Sequence, residues 1–204
     1  MPSIYGLKPK FQSLLRPLSN GLARAGVTAN MVTLGAMLLS FATGLAIFHF
    51  RSMRVLLLLP AALFLRMAMN AIDGMLAREH NQKSALGAIL NELGDVFSDA
   101  ALYLPLASFL PFNTALMVLI VLLAVISEMT GVVAVQIGAS RRYDGPMGKS
   151  DRAFVFGALG LLLGLQLPIF RVVIPVQWIV LALLLVTIVN RAHGALREIR
   201  GRTS

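Results

Sequence analysis

The sequence contains no cysteine and few charged residues. Of its 204 residues none is Cys, and Asp, Glu, Lys and Arg together make up only 13%. The lack of Cys excludes disulfides, a thiol nucleophile and cysteine-ligated zinc or iron–sulfur sites. An average soluble domain is about 25% charged, so the low charge argues against an ordinary soluble enzyme and against a disordered chain.

The residues in excess are apolar ones, which make up 57% of the chain. A helix that crosses a bilayer needs about 20 mostly apolar residues, and six stretches approach this length. The sequence therefore predicts an all-α integral membrane fold with six transmembrane helices. The predicted spans are Asn30–Phe50, Arg54–Arg78, Ala85–Leu110, Asn113–Ala139, Asp151–Leu167 and Val173–His193.

A basic, moderately apolar segment, 1–26, precedes the first span. Apolar residues recur in it at the spacing of one helix face: Phe11, Leu14, Leu15, Leu18 and Leu22. This pattern predicts either an amphipathic helix on the cytoplasmic membrane surface or an ordered lead-in with no function of its own. We divide the chain into this N-terminal segment and a transmembrane domain, 27–204. We expect no cleaved signal peptide, because the first span begins only near residue 30.

Lys and Arg are concentrated in alternate connections between the spans. Fourteen of the 18 lie in the N-terminal segment, the second–third and fourth–fifth loops and the tail, whereas Arg51, Arg54 and Arg171 lie in the other loops. Basic residues favour the cytoplasmic side, so we expect both termini in the cytoplasm, in an inner or plasma membrane. Because these residues are dispersed at helix ends, no nucleic-acid binding is expected.

Polar side chains interrupt the second and third spans. Asn70 and Asp73 share one helix face, and Asn91 and Asp95 share another. Such groups are costly in lipid and usually mark function. If the two faces met, they would form an oxygen-rich cavity open to the cytoplasm, of the kind that Mg²⁺ or Mn²⁺ occupies together with phosphates.

A second set of charges within the predicted spans is centred on Arg66. Arg66 lies about 18 Å from the cytoplasmic end of its span, at the rise of an α-helix. We expect it to pair with one of three carboxylates, in a mainly structural role: Glu92, Asp99 or Glu128.

The polar and small residues of the second and third spans follow one another in this order: Asn70-x2-Asp73-Gly74-x2-Ala77-Arg78-x8-Gly87-x3-Asn91-x3-Asp95. This pattern resembles the signature of the CDP-alcohol phosphotransferases, D-x2-D-G-x2-A-R-x8-G-x3-D-x3-D. The spacing agrees throughout the 26 residues, and six of the eight specified positions are identical. Asn70 and Asn91 stand where the family has its first and third aspartates.

The resemblance implies a transferase of phospholipid biosynthesis. It would move a phosphatidyl-type group from CDP-diacylglycerol, or a related CDP-alcohol, to an acceptor hydroxyl and release CMP. It implies a Mg²⁺ or Mn²⁺ cofactor held by Asp73 and Asp95, with Asn70 and Asn91 at the other two ligand positions, and Asp95 also as the base. It further implies a homodimer, and four residues that line the cytidine diphosphate site: Gly74, Ala77, Arg78 and Gly87.

The two asparagines change the charge of this site. An Asn side chain offers a carbonyl oxygen to a metal but no charge, so the formal charge of the four ligands falls from −4 to −2. We therefore expect one bound ion, or weaker binding. Because both replacements keep the shape of the side chain and an oxygen ligand, they favour a modified site over a decayed one.

A basic cluster follows the fourth span. Arg141, Lys149 and Arg152 surround the turn Gly145-Pro-Met-Gly148. Such cations could bind a phosphate, and the resemblance implies an acceptor site here, for an alcohol such as a phosphorylated polyol. Alternatively, the cluster reflects only the cytoplasmic bias of basic residues and their attraction to anionic membrane lipid.

Two other functions stay open. One is a non-catalytic relative that binds the CDP-lipid without turnover. The other is an ion-coupled membrane carrier that uses the buried carboxylates, which would transport solute along an ion gradient and release no CMP.

Overall fold

The computed structural model describes the backbone of residues 7–203 and the side chains of residues 11–202. Over that part of the chain every regular element is helical, which confirms the all-α prediction; the first six residues of the predicted N-terminal segment lie outside the described residues. The α-helices are α1 (Leu7–Arg24), α2 (Ala29–Phe50), α3 (Leu58–Glu79), α4 (Ala85–Tyr103), α5 (Thr114–Gln136), α6 (Lys149–Gly164) and α7 (Phe170–Thr203).

Four helical segments are long and apolar enough to cross a membrane. They are α2, α3 with the 3₁₀ turn before it, α5 and α7, with mean hydropathies of 2.0 to 2.7. The chain is therefore an integral membrane protein. The other two predicted spans correspond to α4, which carries three carboxylates in 19 residues, and to α6. At 16 residues, α6 is about 24 Å long, so the six-span count stays a prediction.

The helix ends differ from the predicted spans where local chemistry overrides hydropathy. The third span was predicted to reach Leu110, but α4 ends at Tyr103 and a 3₁₀ turn, Leu104–Ser108, follows it. Pro105 in that turn has no N–H to donate and disfavours α-helix in the residue before it. The last span was predicted to end at His193, but α7 continues to Thr203, and Glu198 and Arg202 hold its polar last turns against the loop after α5.

A Schellman motif ends α1 at Gly26. The Gly26 N–H donates to the Ala23 carbonyl at 3.1 Å, and the Val27 N–H donates to the Leu22 carbonyl at 3.0 Å. Gly26 has φ +78°, which glycine adopts without the strain that a Cβ would bring. This turn allows α2 to begin at Ala29.

The chain forms two compact units, and the first contains residues up to Ala42 together with Ala61–Ser98. Its apolar core is built where α3 packs on α2. The buried members are Ala29, Val32, Ile72, Met75 and Leu76, with Leu15 and Leu22 of α1 packed against them. The amphipathic face predicted for residues 1–26 thus contributes two of its leucines to a core.

The second unit contains Thr43–Pro60 and the chain from Asp99 onward. Here α5 packs against α7, and α6 packs against the 3₁₀ turn that precedes α3. A Cβ at Gly160 would lie 3.1 Å from the Leu56 carbonyl oxygen, and one at Gly164 would lie 2.7 Å from Leu57 Cγ. These two glycines therefore serve close packing within the chain.

Candidate functional site

The two halves of the signature lie on α3 and α4, and hydrogen bonds join them. Asn70 Nδ2 lies 3.4 Å from Asp95 Oδ1. Arg66, one helical turn before Asn70, donates from Nη2 to the Asp95 carbonyl oxygen at 3.0 Å and to Oδ1 at 3.3 Å. The polar faces of the second and third predicted spans therefore meet at Asp95.

Arg66 was predicted to pair with Glu92, Asp99 or Glu128, whereas the contact described here joins it to Asp95 of the signature. Its guanidinium lies 3.3 Å from the carboxylate of a signature residue, and its side chain is 3% exposed. The sequence offered no reason to choose Asp95 over the other carboxylates nearby, because all of them lie at comparable depths.

Asp73 is held from a third helix. Its side chain is buried, and Thr33 Oγ1 of α2 lies 2.9 Å from Asp73 Oδ2. Thr33 was not predicted as a site residue, because a single hydroxyl in an apolar helix carries no distinctive pattern. A hydrogen bond from α2 thus fixes the orientation of a carboxylate that α3 carries.

Asn91 and Asp95 lie on the accessible part of the site. The Asn91 side chain is exposed, and no other residue within the described range hydrogen-bonds to it. The Asp95 side chain is 25% exposed despite its bonds to α3. A ligand can therefore reach oxygens on both residues.

The predicted nucleotide-binding residues lie in two groups. The exposed Arg78 guanidinium lies over Gly74, where an added Cβ would stand 3.0 Å from Nη2. At Gly87 an added Cβ would stand 2.8 Å from Asn30 Oδ1, a side chain that the sequence did not single out. Ala77 is half-buried and packs against the core of α2 and α3. Both glycines therefore leave room beside a polar side chain.

The signature supplies too few carboxylates to balance two divalent cations. No group of three or more His, Asp or Glu side chains suited to a metal occurs in the part of the chain that the structure describes. Asp73 and Asp95 supply two negative charges, and the Arg66 guanidinium offsets one of them. Oxygen donors of this kind suit Mg²⁺ or Mn²⁺, but two such ions would bring four positive charges to a formal charge of −1.

Three arginines of the second unit converge on Glu128. Arg152 Nη2 lies 3.1 Å from Glu128 Oε1 and 2.8 Å from Asp99 Oδ2. Arg141 and Arg191 approach Glu128 Oε2 at 3.0 and 3.1 Å. Arg152 and Arg191 are 1% exposed, so this is a buried network of opposite charges.

The network engages two of the three predicted acceptor residues. Arg152 is enclosed by it, whereas Arg141 retains 17% exposure and also lies over the Tyr143 ring, 4.6 Å from its centroid. Lys149 is half-buried at the start of α6. Arg191 was counted only as a tail cation from sequence, because nothing local distinguishes it from its basic neighbours.

The loop between α5 and α6 is braced by α7. Ser140 Oγ donates to Glu198 Oε2 at 2.7 Å, and Arg142 Nη1 lies 3.1 Å from the same oxygen. Arg142 also donates to both carboxylate oxygens of Asp144, at 2.7 and 2.9 Å. These bonds raise the pKa of Arg142 above its ordinary value, although burial opposes the shift. The loop that carries Arg141 is therefore fixed by charged contacts.

Known proteins resemble this chain in sequence and in fold. A family model for CDP-alcohol phosphatidyltransferases matches residues 26–189. Inner membrane protein YnbA of Escherichia coli (strain K12) is 46% identical over 195 residues, which cover 95% of this chain and 96% of that protein.

Solved structures of a Mycobacterium tuberculosis phosphatidylinositol phosphate synthase, PgsA1, share the fold. The structure with CDP-DAG bound has a TM-score of 0.73 and 22% identity, and the match covers 88% of this chain and 92% of that one. The structure in complex with manganese and citrate has the same TM-score and identity, with 88% of both chains covered. From its match to the family model and its identity to YnbA, the chain belongs to the CDP-alcohol phosphatidyltransferase family.

Proposed function

We propose that this protein is an inner membrane transferase that moves a phosphatidyl-type group from CDP-diacylglycerol, or a related CDP-alcohol, to an acceptor hydroxyl. The observation that carries the proposal is the bonding of Asp95 to Asn70 and Arg66, which joins the two halves of the signature. Family membership supports the class of reaction. The CDP-DAG bound to the mycobacterial synthase supports the choice of donor.

A single Mg²⁺ or Mn²⁺ would be held by Asp73 and Asp95 with the amide oxygens of Asn70 and Asn91. When bound, the ion would screen the negative charge of the diphosphate. The manganese in the mycobacterial structure supports this choice of cofactor.

The transfer exchanges one bond at phosphorus for another, and Asp95 and Arg78 have separate roles in it. The acceptor oxygen forms a bond to the phosphorus that carries the diacylglycerol, and the bond from that phosphorus to the bridging oxygen breaks. CMP leaves with that oxygen and the bonding electron pair. Asp95 takes the hydroxyl proton as general base, since its carboxylate is partly accessible. Arg78, exposed over Gly74, binds the diphosphate as a charged donor.

For the acceptor we propose an alcohol that carries a phosphate, such as a phosphorylated polyol. Arg141 and Lys149 would bind the phosphate. The burial of Arg152 supports a different part for that residue, because it contacts Glu128, which in turn holds Arg141. Arg152 would thus position the acceptor site rather than touch the acceptor.

We further propose that both termini lie in the cytoplasm and that the protein is a homodimer. The concentration of basic residues in alternate loops supports the orientation. The dimer rests on family resemblance alone. Sedimentation of the detergent-solubilised protein would test it, with a monomer mass contradicting it.

A second candidate is a protein that binds the CDP-lipid without turnover. It is favoured by the surroundings of Asp95, whose carboxylate already accepts hydrogen bonds from Arg66 and Asn70. Both bonds end on Oδ1, so that oxygen is already engaged and is not available to an acceptor hydroxyl. The two candidates differ in CMP release and agree in donor binding.

The test is CMP release by the purified protein in lipid vesicles with CDP-diacylglycerol and Mn²⁺, against a panel of polyols and polyol phosphates. We expect acceptor-dependent release that falls by about 100-fold or more in Asp95→Asn, as for loss of a general base. Glu79→Gln is the matched control, because it makes the same acid-to-amide change in an exposed pair with Arg16. Donor binding without release across the panel would favour the second candidate, and absence of both would overturn the proposal.

A further inference from the structure

Arg66 places a permanent positive charge in the candidate metal site. Its side chain is 3% exposed, and its guanidinium contacts Asp95 at both the carbonyl oxygen and the carboxylate. An arginine cannot lose its proton in a protein, so this charge is the same at every pH and whether or not a ligand is bound.

Arg66 adds this charge to a site in which the signature supplies only two carboxylates. Four carboxylates would balance two divalent cations, but here two of the four positions are the neutral Asn70 and Asn91. The formal charges of Asp73, Asp95 and Arg66 alone add up to −1. One divalent cation would bring this sum to +1 and two would bring it to +3, within a distance at which like charges repel strongly.

We propose that Arg66 is a resident cation of this site. Its Nη2 lies 3.3 Å from Asp95 Oδ1 and already neutralises that carboxylate, and it thereby limits the site to one bound ion. Arg66 is then a positioning residue, because it acts on the site through its contacts with Asp95. This inference rests on the proposed function only in taking the cluster for the CDP-lipid site.

A purely structural role for Arg66 predicts something different. In that case the guanidinium merely fastens α3 to α4 through the Asp95 carbonyl. Removing it would lower stability but leave the affinity of the site for a divalent cation unchanged. The two roles are therefore separated by cation binding rather than by activity.

The experiment is a Mn²⁺ titration of the full chain in lipid nanodiscs, with free Mn²⁺ followed by electron paramagnetic resonance and with no nucleotide or acceptor present. We expect no more than one Mn²⁺ per wild-type chain. In Arg66→Gln we expect binding at least about tenfold tighter, or a second ion, because one opposing charge has been removed. Arg66→Lys keeps that charge and is the matched control, with wild-type stoichiometry and affinity.

Several outcomes would overturn the inference. Two Mn²⁺ ions per wild-type chain would do so even if Arg66→Gln failed to fold. Equal affinity in wild type and Arg66→Gln would leave Arg66 a fastening residue only, and so would an absence of binding in both. Binding by Arg66→Gln alone would support the inference. Because the titration needs no CDP-lipid, its result is independent of whether CMP is released.

Discussion

At the scale of single residues, Glu128 receives guanidinium groups from three segments of the chain. Arg141 belongs to the loop after α5, Arg152 to α6 and Arg191 to α7, and all three approach within 3.0–3.1 Å. Taking a charge out of water costs several kcal/mol unless partners surround it. Glu128 can lie within a membrane protein because both of its oxygens are occupied.

The network predicts a large loss of stability in Glu128→Gln. Glutamine keeps the shape of the side chain but removes the negative charge, so buried arginines lose their counter-charge. We expect the free energy of unfolding in detergent micelles to fall by about 3–5 kcal/mol. The matched control is Glu79→Gln, whose pair with Arg16 is 37–49% exposed and should cost far less, because water screens exposed pairs. Equal losses in the two variants would contradict this account of burial.

The site could be predicted only in part at this scale. Asp73 and Asp95 follow from a spacing within 26 residues, which a linear pattern can hold. Thr33 reaches Asp73 across 40 positions, and Arg191 reaches Glu128 across 63. Such partners are fixed by how helices pack, and no local signal in the sequence marks them.

At the scale of elements, α6 ends with the same hydrogen bonds as α1 but without a glycine. The Gln166 N–H donates to the Leu163 carbonyl at 2.9 Å, and the Leu167 N–H donates to the Leu162 carbonyl at 3.0 Å. Gln166 has φ +59°, a left-handed conformation that costs a residue with a Cβ roughly 1–2 kcal/mol. The end of α6 therefore carries backbone strain that α1 avoids with Gly26.

Gln166→Gly is expected to stabilise the protein. Glycine removes the Cβ clash but loses more conformational entropy on folding than glutamine does. The net increase in the free energy of unfolding should therefore be about 1 kcal/mol or less. Thermal unfolding in micelles measures it. Gly26→Ala makes the reverse change at the equivalent position of α1 and should lower stability. A loss of stability in Gln166→Gly would show that its side chain contributes more than the strain costs.

Element boundaries were predictable where hydropathy changes abruptly. The first span was predicted as Asn30–Phe50, and α2 is Ala29–Phe50, because Arg51 follows at once. The end of α7 was not predictable in this way. Its last turns are polar, yet Glu198 and Arg202 hold them against the loop after α5, so tertiary contacts extend the helix beyond its apolar part.

At the scale of the whole molecule, the lack of cysteine makes the topology directly measurable. A single introduced Cys is the only thiol in the chain, so a membrane-impermeant maleimide reports one position at a time. Lys83 and Ser108 are both exposed, before and after α4. If α4 is a span, Lys83→Cys and Ser108→Cys should lie on opposite sides of the membrane.

In right-side-out vesicles we therefore expect labelling of Ser108→Cys without permeabilisation. Lys83→Cys should be labelled only after the vesicles are permeabilised, since the basic loops are predicted to be cytoplasmic. If both variants were labelled from one side, α4 would not cross the membrane, and the six-span prediction would be contradicted. Ser52→Cys, in the predicted first outer loop, is the control for vesicle orientation.

The convergence on Glu128 also has a consequence for synthesis of the protein. Its carboxylate leaves the ribosome 63 residues before Arg191. At about 5–20 residues per second, roughly 3–13 s pass before the last of its partners exists. During those seconds α5 is already available for insertion while Glu128 has an incomplete set of counter-charges. The earliest moment at which this unit can reach its final fold is therefore set by the emergence of its last helix.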